Sequence, residues 1–287
     1  MEIDQGRSNP KLIDTNWLSN LKKFDRERFD SLKRLNSENR KELAAIYSFN
    51  LELANIAWNI SEPELGYLKL RWWEDYINDI NKENSFGYNE YLLILSRLIA
   101  EEKLHKYNLL KLVKARKFDC SKKPFDNYEQ QIKYIQDTSQ NLLFMGLSCV
   151  IEFNDYSLRK NLSECFGLSL GLARFILAAG SLSQNKCYSF FLPTDSDYSA
   201  YFECKLSDSI TERIRFDIDF IFNLIEMGDM KLKNVGLKKK SLFLLNPVRK
   251  CLPILKEIKN NPQLIFRKKH KLSFRYKFIG KINELVT

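Results

Sequence analysis

Apolar residues recur at helical spacing along nearly the whole chain, and almost nothing interrupts them. Glycine occurs 10 times and proline 7 times in 287 residues. A β-sandwich or barrel spends more of both on its turns, so long helices are the economical expectation. With 44% hydrophobic residues, the chain can bury a large core in one domain of 1–287. No internal repeat, low-complexity linker or domain boundary breaks it.

The spacing predicts helices one after another. Leu43, Ile46, Tyr47, Phe49, Leu51, Leu53, Ala54, Ile56, Ala57 and Trp58 are apolar on more than one face, which marks a largely buried helix. Ser61-Glu62-Pro63-Glu64 ends it and starts the next, with Ser61 as the expected N-cap and Pro63 in the first turn. That helix carries Leu65, Leu68, Leu70, Trp72, Trp73, Tyr76, Ile77 and Ile80. A loop is expected around 84–87, one or two helices over 88–113, and long helices over 128–151 and 158–183. An irregular loop is expected over 185–199, and helices over 210–230 and 241–258. The longest apolar run, Leu168 to Ala179, contains Arg174 and is too short to span a bilayer, so it reads as a core helix.

The formal net charge is +10, and basic proteins meet anions: nucleic acid, an anionic membrane or a diphosphate. Arg267, Lys268, Lys269, Lys271, Arg275 and Lys277 crowd the C-terminal stretch 262–287, and Lys238-Lys239-Lys240 form a second knot. A solvated surface explains each knot taken alone. Leu272, Phe274, Tyr276 and Phe278 interleave the first, as in a basic amphipathic anchor for an anionic membrane surface. No RNA-binding motif accompanies the charge, and no nucleic-acid partner is expected. The six cysteines form no C-x-x-C pair and only two histidines exist, so no zinc site is expected and buried thiols in a reducing compartment are. The first nine residues are polar and carry acids, unlike a signal peptide.

Three segments carry a resemblance. Between residues 40 and 80 the landmarks are Arg40, Tyr47, Phe49, Glu62, Pro63, Gly66, Arg71, Trp72, Trp73 and Asp75. Between 115 and 146 they are Ala115-Arg116, Asp119, Pro124, Tyr134 and Thr138. The third segment runs from Gly167 to Leu192-Pro193-Thr194-Asp195. In order and spacing the three resemble the squalene/phytoene synthase family over roughly residues 20–200. The resemblance implies an all-α isoprenoid-synthase bundle around a central cavity. It also implies a magnesium-dependent prenyltransferase, whose ions neutralise a departing diphosphate through acidic clusters on two facing helices.

The acids are missing where that resemblance requires them. Around Glu52 to Trp58 only Glu52 is acidic, and Asn55 is neutral. No Asp or Glu occurs between Glu164 and Asp195, a gap that no shift of register repairs. One group in the family, associated with respiratory complex I assembly, is similar in both respects. Ser48-Phe49-Asn50-Leu51-Glu52-Leu53-Ala54 and Ser61-Glu62 carry that likeness. It implies a non-catalytic scaffold with a protein partner, a complex I subunit or intermediate. The implied location is cytoplasmic, peripheral at the inner face of the cytoplasmic membrane, or the matrix side of a mitochondrion.

Three readings stay open: that scaffold, a divergent head-to-head prenyltransferase, and a membrane-surface module binding an isoprenoid or other lipid. No cofactor is expected; Mg²⁺ enters only if the chain is catalytic. No catalytic residue is named. Residues of a relic cavity are Tyr47, Asn50, Glu52, Asn55, Arg71, Trp72, Asp75, Tyr134 and Arg174, with ordinary core aromatics as the plainer account of Tyr47, Trp72 and Tyr134. Glu52, Asp75 and Asp79 are the weak metal candidates. Arg71 and Asp75, four residues apart on one helix, also suit a surface ion pair.

Overall fold

The computed structural model describes residues 16–80, 90–151, 155–233 and 243–267. Thirteen α-helices lie among them, and no strand. α1 (Trp17–Phe24), α2 (Arg26–Ser31) and α3 (Ser37–Ile56) open the chain, followed by α4 (Pro63–Asp79), α5 (Glu90–Ala100) and α6 (Lys106–Ser121). Next come α7 (Tyr128–Ile135), α8 (Asn141–Ser148), α9 (Tyr156–Leu162) and α10 (Leu168–Gln184). α11 (Asp195–Phe202), α12 (Asp208–Lys233) and α13 (Asn246–Asn260) complete the series. One apolar cluster runs through them from Trp17 to Phe266.

α3 is the central strut. Leu43, Ala44, Ala45, Ile46, Tyr47 and Phe49 are all buried in succession, as its all-round apolar pattern requires. It packs against α1, α4, α5, α6 and α8. Asn36 caps it, its side-chain oxygen accepting from Asn39 N at 2.8 Å. α4 starts one residue later than expected. Glu62, not Ser61, is its N-cap, in extended backbone with no side-chain cap bond, and Pro63 is the first helical residue. A proline there fixes helical φ without losing a needed N–H.

The two long helices expected over 128–151 and 158–183 each contain a π-helical turn, Gln136–Gln140 and Ser163–Gly167. The two turns touch. A methyl on Gly167 would fall 2.6 Å from Gln140 Cα, so the residue must be glycine for the backbones to approach. Each turn widens its helix where the other leans on it. Tyr156–Gln184 is long and apolar enough to cross a membrane by length and composition, but 67% of its most apolar window is buried inside the protein.

The loop expected over 185–199 ends early. Asp195–Phe202 is helical, capped by Thr194, whose Oγ1 accepts from Asp197 N at 3.2 Å. Asp197 is buried there and takes hydrogen bonds from the hydroxyls of Thr194 (2.6 Å) and Ser207 (2.7 Å). Residues Pro262–Phe266 form a 3₁₀ turn pressed against α10. The loop expected at 84–87, the 238–240 knot and Lys268, Lys269, Lys271, Arg275 and Lys277 lie outside the described residues.

Candidate functional site

A helix turns 100° per residue, so Asn50 and Glu52 on α3 look in nearly opposite directions. Each belongs to a different site.

Asn50 is buried and faces α6. Arg116 Nη2 donates to its Oδ1 at 3.0 Å. Arg116 Nη1 also donates to Asp119 Oδ2 (2.9 Å) and to the Tyr134 hydroxyl (2.8 Å), while that hydroxyl donates to Asp119 Oδ1 at 2.7 Å. The three side chains close a ring. Burial pushes the Tyr134 phenol far above its ordinary range, Arg116 opposing and Asp119 reinforcing. Burial works against the Arg116 charge, but Tyr134 and Asp119 outweigh it and hold the guanidinium protonated. Phe118 and Phe125 stack beside the ring at 4.5 Å, and Phe175 from α10 meets Phe125 edge-on. Tyr134 is therefore part of a locked polar network, not the wall of an open tunnel.

Tyr47 and Arg174 border a second cluster, built on Asp25 and Arg28. Arg174, from the acid-free helix α10, reaches Asp25 Oδ1 at 3.4 Å and Glu27 at 3.9 Å. Arg28 Nη1 binds Asp25 Oδ2 at 2.6 Å, and its guanidinium lies 5.6 Å from the centre of the Tyr47 ring. Burial would raise the Asp25 carboxyl, but Arg28 and Arg174 prevail and hold it down at about 2. Burial pushes the Tyr47 phenol up, Arg28 opposing. Asp25, Arg28 and Arg116 carry both clusters, and of these the sequence reading singled out only Arg116, as a landmark.

Glu52, Asn55 and Trp72 line a third place, a cleft of about 510 Å³ among α1, α3, α4 and α5. Trp17, Trp73 and Tyr91 form its apolar inner wall, and the Tyr91 hydroxyl donates to Glu52. Lys69 and Phe24 stand at the mouth. Arg71 and Asp75 line none of these sites. They are exposed on α4 and pair with each other at 3.6 Å, with side-chain exposures of 72% and 62%. Asp79, one turn on, is exposed as well.

Glu52 lines the cleft while Asp75 and Asp79 are exposed on α4, so these three acids do not converge, and α10 presents Arg174 to Asp25. Among the described residues no three of His, Cys, Asp and Glu gather in a way that could hold a metal ion.

A fourth cluster fastens the segment before α11. Gln131 Oε1 accepts from Phe191 N (2.8 Å) and from Arg213 (3.2 Å), and Arg213 pairs with buried Asp217 at 3.0 Å. Burial raises the Asp217 carboxyl despite Arg213.

Residues 21–276 match the family model described as squalene/phytoene synthase. Curated relatives include the NADH dehydrogenase (ubiquinone) complex I assembly factor 6 of Bos taurus and of Homo sapiens. Each is 27% identical over 127 residues, 44% of this chain and 38% of the relative. The chain thus spans well under half the length of those relatives. A dehydrosqualene synthase in complex with ligand has the same fold, with a TM-score of 0.73 at 13% identity, covering 94% of this chain and 95% of that one. A squalene synthase from Alicyclobacillus acidocaldarius gives 0.65 at 13% identity, covering 86% and 93%.

Proposed function

Because the chain belongs to the squalene/phytoene synthase family, we propose that it is a non-catalytic member that serves as an assembly or scaffold factor for respiratory complex I. The observation that carries the reading is Arg174. The helix from which the family's chemistry requires metal-binding carboxylates has none, and presents a guanidinium paired with Asp25 instead. A half-buried cation there repels Mg²⁺ and offers it no oxygen. The assembly role is supported by the likeness to complex I assembly factor 6 in two mammals. The partner is a complex I subunit or intermediate, met at the inner face of the membrane. Of the basic residues expected to meet an anionic surface, Arg267 lies among those described, and it is exposed at the end of the turn that packs on α10.

Two measurements test the two halves of this proposal. Purified protein is expected to release no diphosphate from farnesyl or geranylgeranyl diphosphate with Mg²⁺ present; magnesium-dependent turnover would restore the prenyltransferase reading. Deleting the gene in its own host and resolving membranes by native electrophoresis is expected to deplete complex I and accumulate a subassembly. Complex I at its normal level in the deletion strain sinks the assembly role.

A further inference from the structure

Ile210, Ile214, Ile218, Ile221 and Ile225 of α12 are buried against the bundle, yet a second apolar stripe runs along the opposite side of the same helix. Phe216, Phe220, Asn223, Met227 and Met230 follow one another at steps of four, three, four and three residues, the a/d spacing of a coiled-coil seam. Phe216, Met227 and Met230 are 56%, 47% and 52% exposed. Phe220 is half-buried and stacks on Phe216, while Asn223 is exposed. Single exposed apolar residues are ordinary, but four in heptad register on one helix form the kind of patch that marks an interaction surface.

The borders of the stripe say what it suits. One border is turned into the protein: Asp217 is buried, Leu224 is half-buried, and Lys231 donates to Asn161 at 2.8 Å. The other is acidic. Glu212, Asp219 and Glu226 recur every seventh residue and all are exposed, with Asp219 paired to Lys259. Lys233, next in that series, falls beyond Met230. In a coiled coil such flanking positions select the partner by charge, and a polar residue at one seam position, here Asn223, sets the register. A second copy packed antiparallel would bring the acidic border against itself, and an anionic bilayer would meet it as like charge.

We propose that the outer face of α12 is a docking surface for a basic amphipathic helix of a partner protein, one whose apolar a/d stripe is flanked by lysine or arginine. Its apolar stripe packs on Phe216, Phe220, Met227 and Met230, and its cations lie along Glu212, Asp219 and Glu226. The seam is about 21 Å long, so the contact is of the small, reversible kind. This inference is independent of whether the chain assists complex I assembly.

Two fluorescein-labelled peptides of three heptads test it, both with leucine at a and d and alanine at b, c and f. One has lysine at e and g, the other glutamate. The anisotropy of each is read as the full chain is titrated in at about 150 mM NaCl. The basic peptide is expected to bind saturably and at least about tenfold tighter than the acidic one. The net charge of +10 pulls the other way, so general attraction cannot produce that order. Met227→Lys is expected to weaken the basic peptide at least about tenfold. Glu212→Lys combined with Glu226→Lys is expected to weaken it similarly and to tighten the acidic one. Leu68→Lys, at an exposed apolar position on α4, is the control and should change neither. Circular dichroism melts establish that each variant is folded. No saturable binding, equal binding of the two peptides, or affinity unchanged in Met227→Lys overturns the proposal. So does sedimentation of the full chain as a dimer that Met227→Lys makes monomeric, which assigns the stripe to a second copy. Binding to phosphatidylglycerol vesicles that Met227→Lys abolishes overturns it too, and assigns the stripe to a membrane.

Discussion

Arg174 Nη2 stands 3.4 Å from Asp25 Oδ1 across 149 residues of chain, tying the acid-free helix α10 to the start of α2. Asp25 also takes Arg28 at 2.6 Å, and both partners of that pair are nearly inaccessible, at 7% and 10% side-chain exposure. Removing one member of such a cluster strands a buried charge, which is costlier than the pair is stabilising.

Asp25→Asn is therefore expected to destabilise the protein by about 3 kcal/mol in urea denaturation. The same carboxyl predicts an acid dependence. The folded state holds it at about 2, below the ordinary value of 3.8, so the folded protein gives up this proton more readily than the unfolded chain. Its contribution, about 2 kcal/mol, is complete above pH 4 and is lost as pH falls toward 2. A urea midpoint measured between pH 5 and pH 2 should fall more steeply in the wild type than in Asp25→Asn; parallel curves refute the assignment.

Gly180 and Gly146 make a matched pair. A methyl on Gly180 would lie 2.5 Å from the backbone carbon of Phe266 and 2.6 Å from Arg267 O, atoms that cannot step aside without moving the 3₁₀ turn. A methyl on Gly146 would meet nothing closer than the Tyr47 hydroxyl at 3.5 Å. Gly180→Ala should cost about 1–3 kcal/mol by overpacking. Gly146→Ala, in mid-helix, should be neutral or stabilise by up to about 1 kcal/mol. Thermal melts of the two variants, moving in opposite directions or nearly so, check the packing of that turn.

Tyr134→Phe removes the hydroxyl that joins Arg116 to Asp119. A loss of about 1–3 kcal/mol is expected, because the buried guanidinium and carboxylate each lose a partner. If stability is unchanged, the ring of hydrogen bonds contributes nothing that water does not replace.

All six cysteines are free thiols, and Cys120, Cys165 and Cys251 are buried. Burial pushes the Cys251 thiol up to about 12 and raises Cys120 and Cys165 as well. Since the thiolate is the reactive form, these three should resist iodoacetamide at pH 8 until the protein unfolds. Half-buried Cys187 and Cys204 should be alkylated first, as read by peptide mass spectrometry.

Much of the fold was legible in the sequence, because burial on several faces of α3 and the long apolar runs of α4, α10 and α12 need only helical periodicity to be seen. α11 was not, although Thr194 and Asp197 stand at capping spacing. Its first turn, Asp195-Ser196-Asp197, is polar and follows Pro193, so nothing in its pattern outweighs a loop. Tyr198 and Tyr201 give it a buried face only once α12 is in place. The α1–α2 stretch, which supplies Trp17, Asp25 and Arg28, was equally silent, since six- and eight-residue helices show too little periodicity to stand out.

The candidate residues fared differently for the same geometric reason. Tyr47, Asn50, Glu52, Asn55, Trp72, Tyr134 and Arg174 were grouped as one cavity, and the structure distributes them among two polar clusters and a cleft. Two positions along α3 amount to about half a turn, so neighbours in sequence face different neighbours in space.

The sequence by itself determined that the chain is helical and that the stretch between Glu164 and Asp195 has no acid to give a metal, since composition holds in any register. Only the tertiary structure decided which charges answer one another. Asp25 finds Arg174 because pairing across 149 residues depends on how helices pack and not on local pattern.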